Sequence, residues 1–134
     1  MKKGIKLEIL INQDILNRSA NCVSFPGQNC AIGLAIFEIF GKKSNVATDE
    51  IVILNEDLYK GEIVLKSKIK AQIALPLKAQ EFIDKFDESL PHQRKLMTPF
   101  AFEIEIPDNV VEMINIDEIY KVLETSTCLK LVEA

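Results

Sequence analysis

The chain contains no tryptophan, a single histidine (His92) and only two arginines, Arg18 and Arg94. Tyrosine is nearly as scarce, at Tyr59 and Tyr120. Seven phenylalanines therefore carry the aromatic load, and the core is expected to consist of Ile, Leu, Val and Phe. Cysteine stops at three, Cys22, Cys30 and Cys128, an odd number that does not read as the disulfide framework of a secreted protein. Those three and His92 also lack the close ligand spacing of a zinc site, so no metal or other cofactor is expected. Cys30 and Cys128 are read as small buried hydrophobes.

No apolar run approaches the roughly 18 residues that span a membrane. The longest candidate, Ala31–Phe40, is interrupted by Glu38. The opening Met-Lys-Lys is not followed by the apolar region of a signal peptide. These absences point to the cytoplasm and exclude a membrane role. Phosphate-binding fingerprints are missing too. Gly27 and Gly33 make no glycine-rich loop, and Gly41-Lys42-Lys43-Ser44 lacks the upstream glycine of a P-loop.

What is present describes one globular domain. The 134 residues are 48% apolar and 27% charged, which suits a folded chain rather than a disordered one. A net charge of −4 argues against a general nucleic-acid binder. Lys66, Lys68 and Lys70 recur every second residue, so on a strand they would share one solvated face.

Periodicity sets the expected elements. Residues 5–11 alternate, with Ile5, Leu7, Ile9 and Ile11 inward, and predict a half-buried strand. Residues 14–17 make a helical turn capped by Asn12 or Gln13. Residues 29–41 predict a helix capped by Asn29 and stopped at Gly41, apolar on almost every side, with Gly33 as a close-packing notch. Residues 44–48 read as a loop and 50–54 as a short strand. A long alternating strand over 62–75 is interrupted on its inner face by Ser67. Pro76 opens a helix whose inner face carries Ala79, Phe82, Ile83 and Phe86. A polar loop over 90–98 leads to an alternating strand at 99–106. One or two helices over 110–125, the second capped by Asp117, and a strand at 128–132 complete the chain.

The fold class expected is α+β: a mixed or antiparallel sheet of about four to five strands, two main helices on one face, and a C-terminal helical extension. All of it is one domain, with a core at 5–107 and the extension at 108–134. The helix at 29–41 is too apolar for one sheet to cover. Its second covering is expected from the C-terminal segment or another subunit, hence a homo-oligomer.

Three stretches together resemble a group of small uncharacterised bacteriophage and prophage proteins. They are Asn29-Cys30-Ala31-Ile32-Gly33-Leu34-Ala35-Ile36, the run Leu75-Pro76 with Ala79-Gln80-Glu81-Phe82-Ile83-Asp84-Lys85-Phe86-Asp87, and Pro99-Phe100-Ala101-Phe102-Glu103-Ile104. Ala31 stands where that group usually has proline, and residues 44–48, the hairpin expected from the strands at 50–54 and 62–75, and the tail after Pro107 are longer. The resemblance implies the fold and a phage setting, and no activity comes with it.

For chemistry, Asp84, Asp87, Glu88, Glu103 and Glu105 read as solvated carboxylates, since none stands in an evident apolar pocket. Cys30 at a helix N-terminus is the one candidate nucleophile, and it lacks the flanks of known cysteine enzymes. The candidate ligand-binding residues are Arg18, His92, Arg94 and Lys95. All sit in loops, where binding residues concentrate, and arginine recognises phosphate or carboxylate bidentately. The function expected first is a non-enzymatic accessory protein that binds a host protein or its own copy. A binder of an anionic small molecule, such as a sponge for a nucleotide-like immune signal, comes second. A cysteine- or carboxylate-based enzyme comes third.

Overall fold

A computed structural model describes residues 4–22, 30–57 and 64–133. Strand β1 (Ile5–Ile11) forms as its alternation requires. Leu7, Ile9 and Ile11 are fully buried on one face, while Lys6, Glu8 and Leu10 look outward. Helix α1 (Gln13–Ser19) follows at once, because the Asn12 side chain accepts from the Ile15 amide at 2.9 Å and so caps the first turn.

Helix α2 (Ala31–Phe40) is the apolar segment. Its N-cap is Cys30, without a side-chain hydrogen bond. Asn29, expected as the cap, lies outside the described residues. Gly41 ends the helix at a φ of +60°, the only positive φ among the described residues. Nothing stands within 4 Å of a Cβ built there, so backbone conformation rather than space calls for glycine. A 3-10 turn (Gly41–Lys43) then leads into β2 (Ser44–Val46), where a loop was expected.

Strand β3 (Glu50–Leu54) pairs antiparallel with β2 and with β4 (Ile69–Ala74). The long strand expected over 62–75 is therefore half as long. Its break near Ser67 is a 3-10 turn at Lys66–Lys68, and residues 62 and 63 lie outside the described residues. Of the three alternating lysines only Lys70 is on a strand, and Lys68 reaches Glu56 at 2.8 Å. A second small cluster, Val52 and Leu54 with Val64 and Ile69, covers the other face of β3.

Pro76 is the N-cap of α3 (Leu77–Glu88) rather than its first helical residue. Ala79, Phe82 and Phe86 are its buried stripe. Within the expected loop, Pro91–Arg94 form a short helix, α4. Strand β5 (Phe100–Ile106) buries Phe102, Ile104 and Ile106 as its alternation predicts. Helix α5 (Asp108–Val111) precedes α6 (Ile116–Thr125), whose cap is Asn115 and not Asp117. The Asn115 side chain accepts from the Asp117 and Glu118 amides. Strand β6 (Leu129–Glu133) closes the chain.

The architecture is α+β with two three-stranded antiparallel sheets, ordered β5-β1-β6 and β2-β3-β4. That gives six strands rather than four or five, and β4 runs beside β5 where the sheets meet. Residues 108–133 are no appendage. β6 pairs with the central strand β1, and Val110, Val111, Ile119 and Leu129 join the main core cluster. Helix α2 packs against β1, β2, α1 and α6, so the C-terminal segment supplies its second covering. Only Phe37 and Glu38 of α2 remain exposed.

Candidate functional site

The segment of α4 and its C-cap reaches both the start of α1 and the residues that follow it. Gln13 Nε2 donates to the Lys95 carbonyl at 2.7 Å, and Arg94 reaches across to the residues that follow α1. The two arginine-bearing segments therefore meet. They do so by spending Arg94 on the fold. Its Nε donates to the Phe86 carbonyl at 2.9 Å, and its Nη1 to the Ala20 and Cys22 carbonyls at 3.0 and 3.2 Å. The guanidinium also lies 4.3 Å from the centre of the Phe86 ring. These carbonyls lie at or just beyond the C-terminal ends of α3 and α1, where backbone acceptors go unmatched and a cation is favoured. Arg94 thus cross-links two helix ends.

The other candidates lie around it without joining it. Arg18 is in the last turn of α1, exposed, and pairs with Asp14 at 3.0 Å one helical turn away. Such an exposed pair contributes little. His92 is exposed on α4, and the exposed Lys95 is the C-cap of that helix.

A disulfide joins Cys22 to Cys30, contrary to the expectation of inert single cysteines. The fold brings the two Cα atoms to 5.3 Å, within the span that a disulfide bridges. This bond ties the end of α1 to the start of α2. Cys128 is free and half-buried, with its sulfur 3.6 Å from the Ala35 carbonyl. Beside the disulfide, a cleft of about 40 Å³ is lined by Cys30 and Gly33 of the α2 end and by Phe82, Phe86 and Asp87 of α3. Burial pushes the Asp87 carboxyl above its ordinary range, the Arg94 cation pulls against that, and Asp84 adds to the rise. One carboxylate read as simply solvated is therefore at the rim of an apolar cleft. Among the described residues, no three His, Cys, Asp or Glu side chains cluster as metal ligands.

A wider open volume lies elsewhere. A groove of about 740 Å³ follows β6, lined by Glu8 and Leu10 of β1, by Tyr120, Leu123 and Glu124 of α6, and by residues 126–131. Strand β6 is the outer strand of its sheet, with no strand on its far side among the described residues. On the outer sheet face Glu8 stands between Glu103 of β5 and Lys130 of β6, so the lysine offsets a like-charge pair. None of the four candidate binding residues lines this groove. Its sequence signal was slight: Leu10 breaks the polar outer face begun by Lys6 and Glu8, and Tyr120 is one of two tyrosines.

Comparison with models of protein families, with curated proteins and with solved structures finds no match. Among the described residues, no helix is long and apolar enough to cross a membrane.

Proposed function

We propose that the chain acts by binding a protein partner, taking an extended segment of it along the open edge of β6. The observation that carries this reading is an outer strand flanked by a 740 Å³ groove whose walls expose Leu10 and Tyr120. A strand edge offers main-chain hydrogen bonds to an incoming strand, and neighbouring pockets select its alternate side chains. Tyrosine is enriched among residues that dominate interfaces. Glu124 on the rim favours a basic residue in the segment. The resemblance to small phage and prophage proteins supplies a setting, in which the partner is a host protein.

The edge is also open to a second copy of this chain, since a two-fold axis matches a strand with itself. An anionic small molecule at Arg18, His92, Arg94 and Lys95 draws less support, because Arg94 is committed to three carbonyls. A Cys30 nucleophile draws less still, because its sulfur is in the disulfide.

The test is a displayed library of random decapeptides selected against the chain, followed by hydrogen exchange on the complex. Selected peptides should alternate apolar residues with at least one basic position and should slow exchange at the β6 amides. Tyr120→Asp should weaken them ten-fold or more. Peptides that leave β6 exchange unchanged, or that bind the variant equally well, would remove the reading. A dimer in sedimentation that Tyr120→Asp dissociates would assign the edge to a second copy.

A further inference from the structure

The hydrogen-bond pattern of β6 fixes which of its backbone groups face the open edge. The Leu10 amide donates to the Cys128 carbonyl at 2.7 Å, and the register sets Ile9 opposite Leu129, Glu8 opposite Lys130 and Leu7 opposite Leu131. In an antiparallel pair, bonded positions alternate with unbonded ones. Cys128 and Lys130 therefore turn their backbone groups to β1, while Leu129 and Leu131 turn theirs to the open side. The Leu129 amide is already matched there, donating to Ser126 Oγ at 3.0 Å. The edge thus offers the Leu129 carbonyl, then the Leu131 amide and carbonyl. These groups flank Lys130. A strand that bonds to them sets one residue directly opposite Lys130, whether it runs parallel or antiparallel to β6.

Lys130 is exposed on the outer sheet face, in a row with Glu8 of β1 and Glu103 of β5. It is engaged in no ion pair among the described residues. The next place in that row belongs to the incoming strand. It lies about 5 Å from the Lys130 position and about 10 Å from that of Glu8, as the spacing of strands dictates. The second distance exceeds the Debye length of about 8 Å at physiological salt, so the lysine outweighs Glu8 there. We infer, on the reading that β6 is a docking edge, that Lys130 selects the partner: the segment that joins β6 carries an aspartate or glutamate opposite Lys130, between two apolar residues. The acidic residue shares the outer face with Lys130. Its apolar neighbours turn to the core side, where Tyr120 and Leu123 of α6 line the groove. A cross-strand pair of opposite charge is favourable and a like-charge pair is not, so a lysine or arginine at that place is rejected. The basic residue that Glu124 favours belongs elsewhere in the segment, at the α6 rim. A second copy is a poor occupant, because a two-fold axis through these open groups sets Lys130 against itself.

The test takes decapeptides selected against the intact chain that slow exchange at the β6 amides. Each is remade with Glu, Gln and Lys at every position in turn, and affinities are read by fluorescence anisotropy. One position in each peptide should prefer Glu over Lys by about three-fold or more. Lys130→Arg, which keeps the charge, should keep that preference. Lys130→Gln should remove it and Lys130→Glu should reverse it, while Glu124→Gln leaves it in place. Peptides that slow β6 exchange yet show no such position, or whose preference survives Lys130→Gln, would overturn the inference and leave the docking edge standing. A dimer of the chain paired through β6 would overturn it as well. If no selected peptide slows β6 exchange, the docking edge itself falls, and the role of Lys130 falls with it.

Discussion

The corner where α1, α3 and α4 meet and the edge formed by β6 treat their polar groups in opposite ways. At the corner, Arg94 is matched to backbone carbonyls of Phe86, Ala20 and Cys22, and a disulfide adds a covalent tie. At the edge, β6 pairs on one side only, and Leu10 and Tyr120 stay partly exposed beside a wide groove. A rare charged residue can thus be spent on the fold where helix ends nearby favour a cation. A strand edge with no strand on its far side among the described residues offers main-chain hydrogen bonds instead.

This contrast predicts a graded set of effects. The largest belongs to the corner. Arg94→Ala removes three charge-assisted hydrogen bonds and a cation–π contact. It should cost about 2–4 kcal/mol in urea unfolding, while Arg18→Ala should cost less than about 0.5 kcal/mol. Equal losses at the two arginines would break the distinction between a cross-link and a surface pair. Next is the cap of α6: Asn115→Ala should lose about 1 kcal/mol by exposing the first amides of that helix. Tyr120→Asp, which should abolish peptide binding, is expected to change stability by no more than about 0.5 kcal/mol. A large loss there would mean that the groove wall belongs to the core.

The smallest effect concerns Asp87. Its carboxyl titrates above the ordinary range because burial disfavours the charge. The folded chain therefore holds that proton more tightly than the unfolded one. The stability this contributes is fully present below the unfolded-state pKa and is lost as pH rises through the folded-state pKa. Asp87→Asn, neutral throughout, should gain on the parent chain across that interval and show no difference in slope above it. Thermal unfolding of both chains in acidic and neutral buffers measures this. A variant that loses ground as pH rises would show that Arg94 outweighs burial at this carboxyl.

Much of the fold was legible because it follows from local rules. The period-two patterns of β1 and β5 each place one face in the core, and the apolar stripe of α3 does the same at helical spacing. The misses have physical causes. Lys66, Ser67 and Lys68 continue a strand-like alternation yet turn, since alternation alone does not hold a strand. Asn115 outcompetes Asp117 as a cap because a cap's position depends on where the preceding α5 turn ends. Of the candidate site, whether the segments carrying Arg18 and Arg94 meet was not legible, and it is the hydrogen bonds from Arg94 to the Ala20 and Cys22 carbonyls that join them. The use of Arg94 was not legible, since carbonyls at helix ends leave no mark in side-chain sequence.

What the sequence determined by itself was the set of buried faces, and with it the α+β class, because side-chain period and burial are coupled residue by residue. The tertiary structure decided everything that joins distant positions. It set β6 beside β1 so that the tail completes the central sheet, brought Cys22 within bonding distance of Cys30, and turned Arg94 onto the ends of two helices. The apolar helix α2 shows the division most clearly. Its composition demanded cover on more than one side, and only the path of α6 determined that the chain would supply that cover itself.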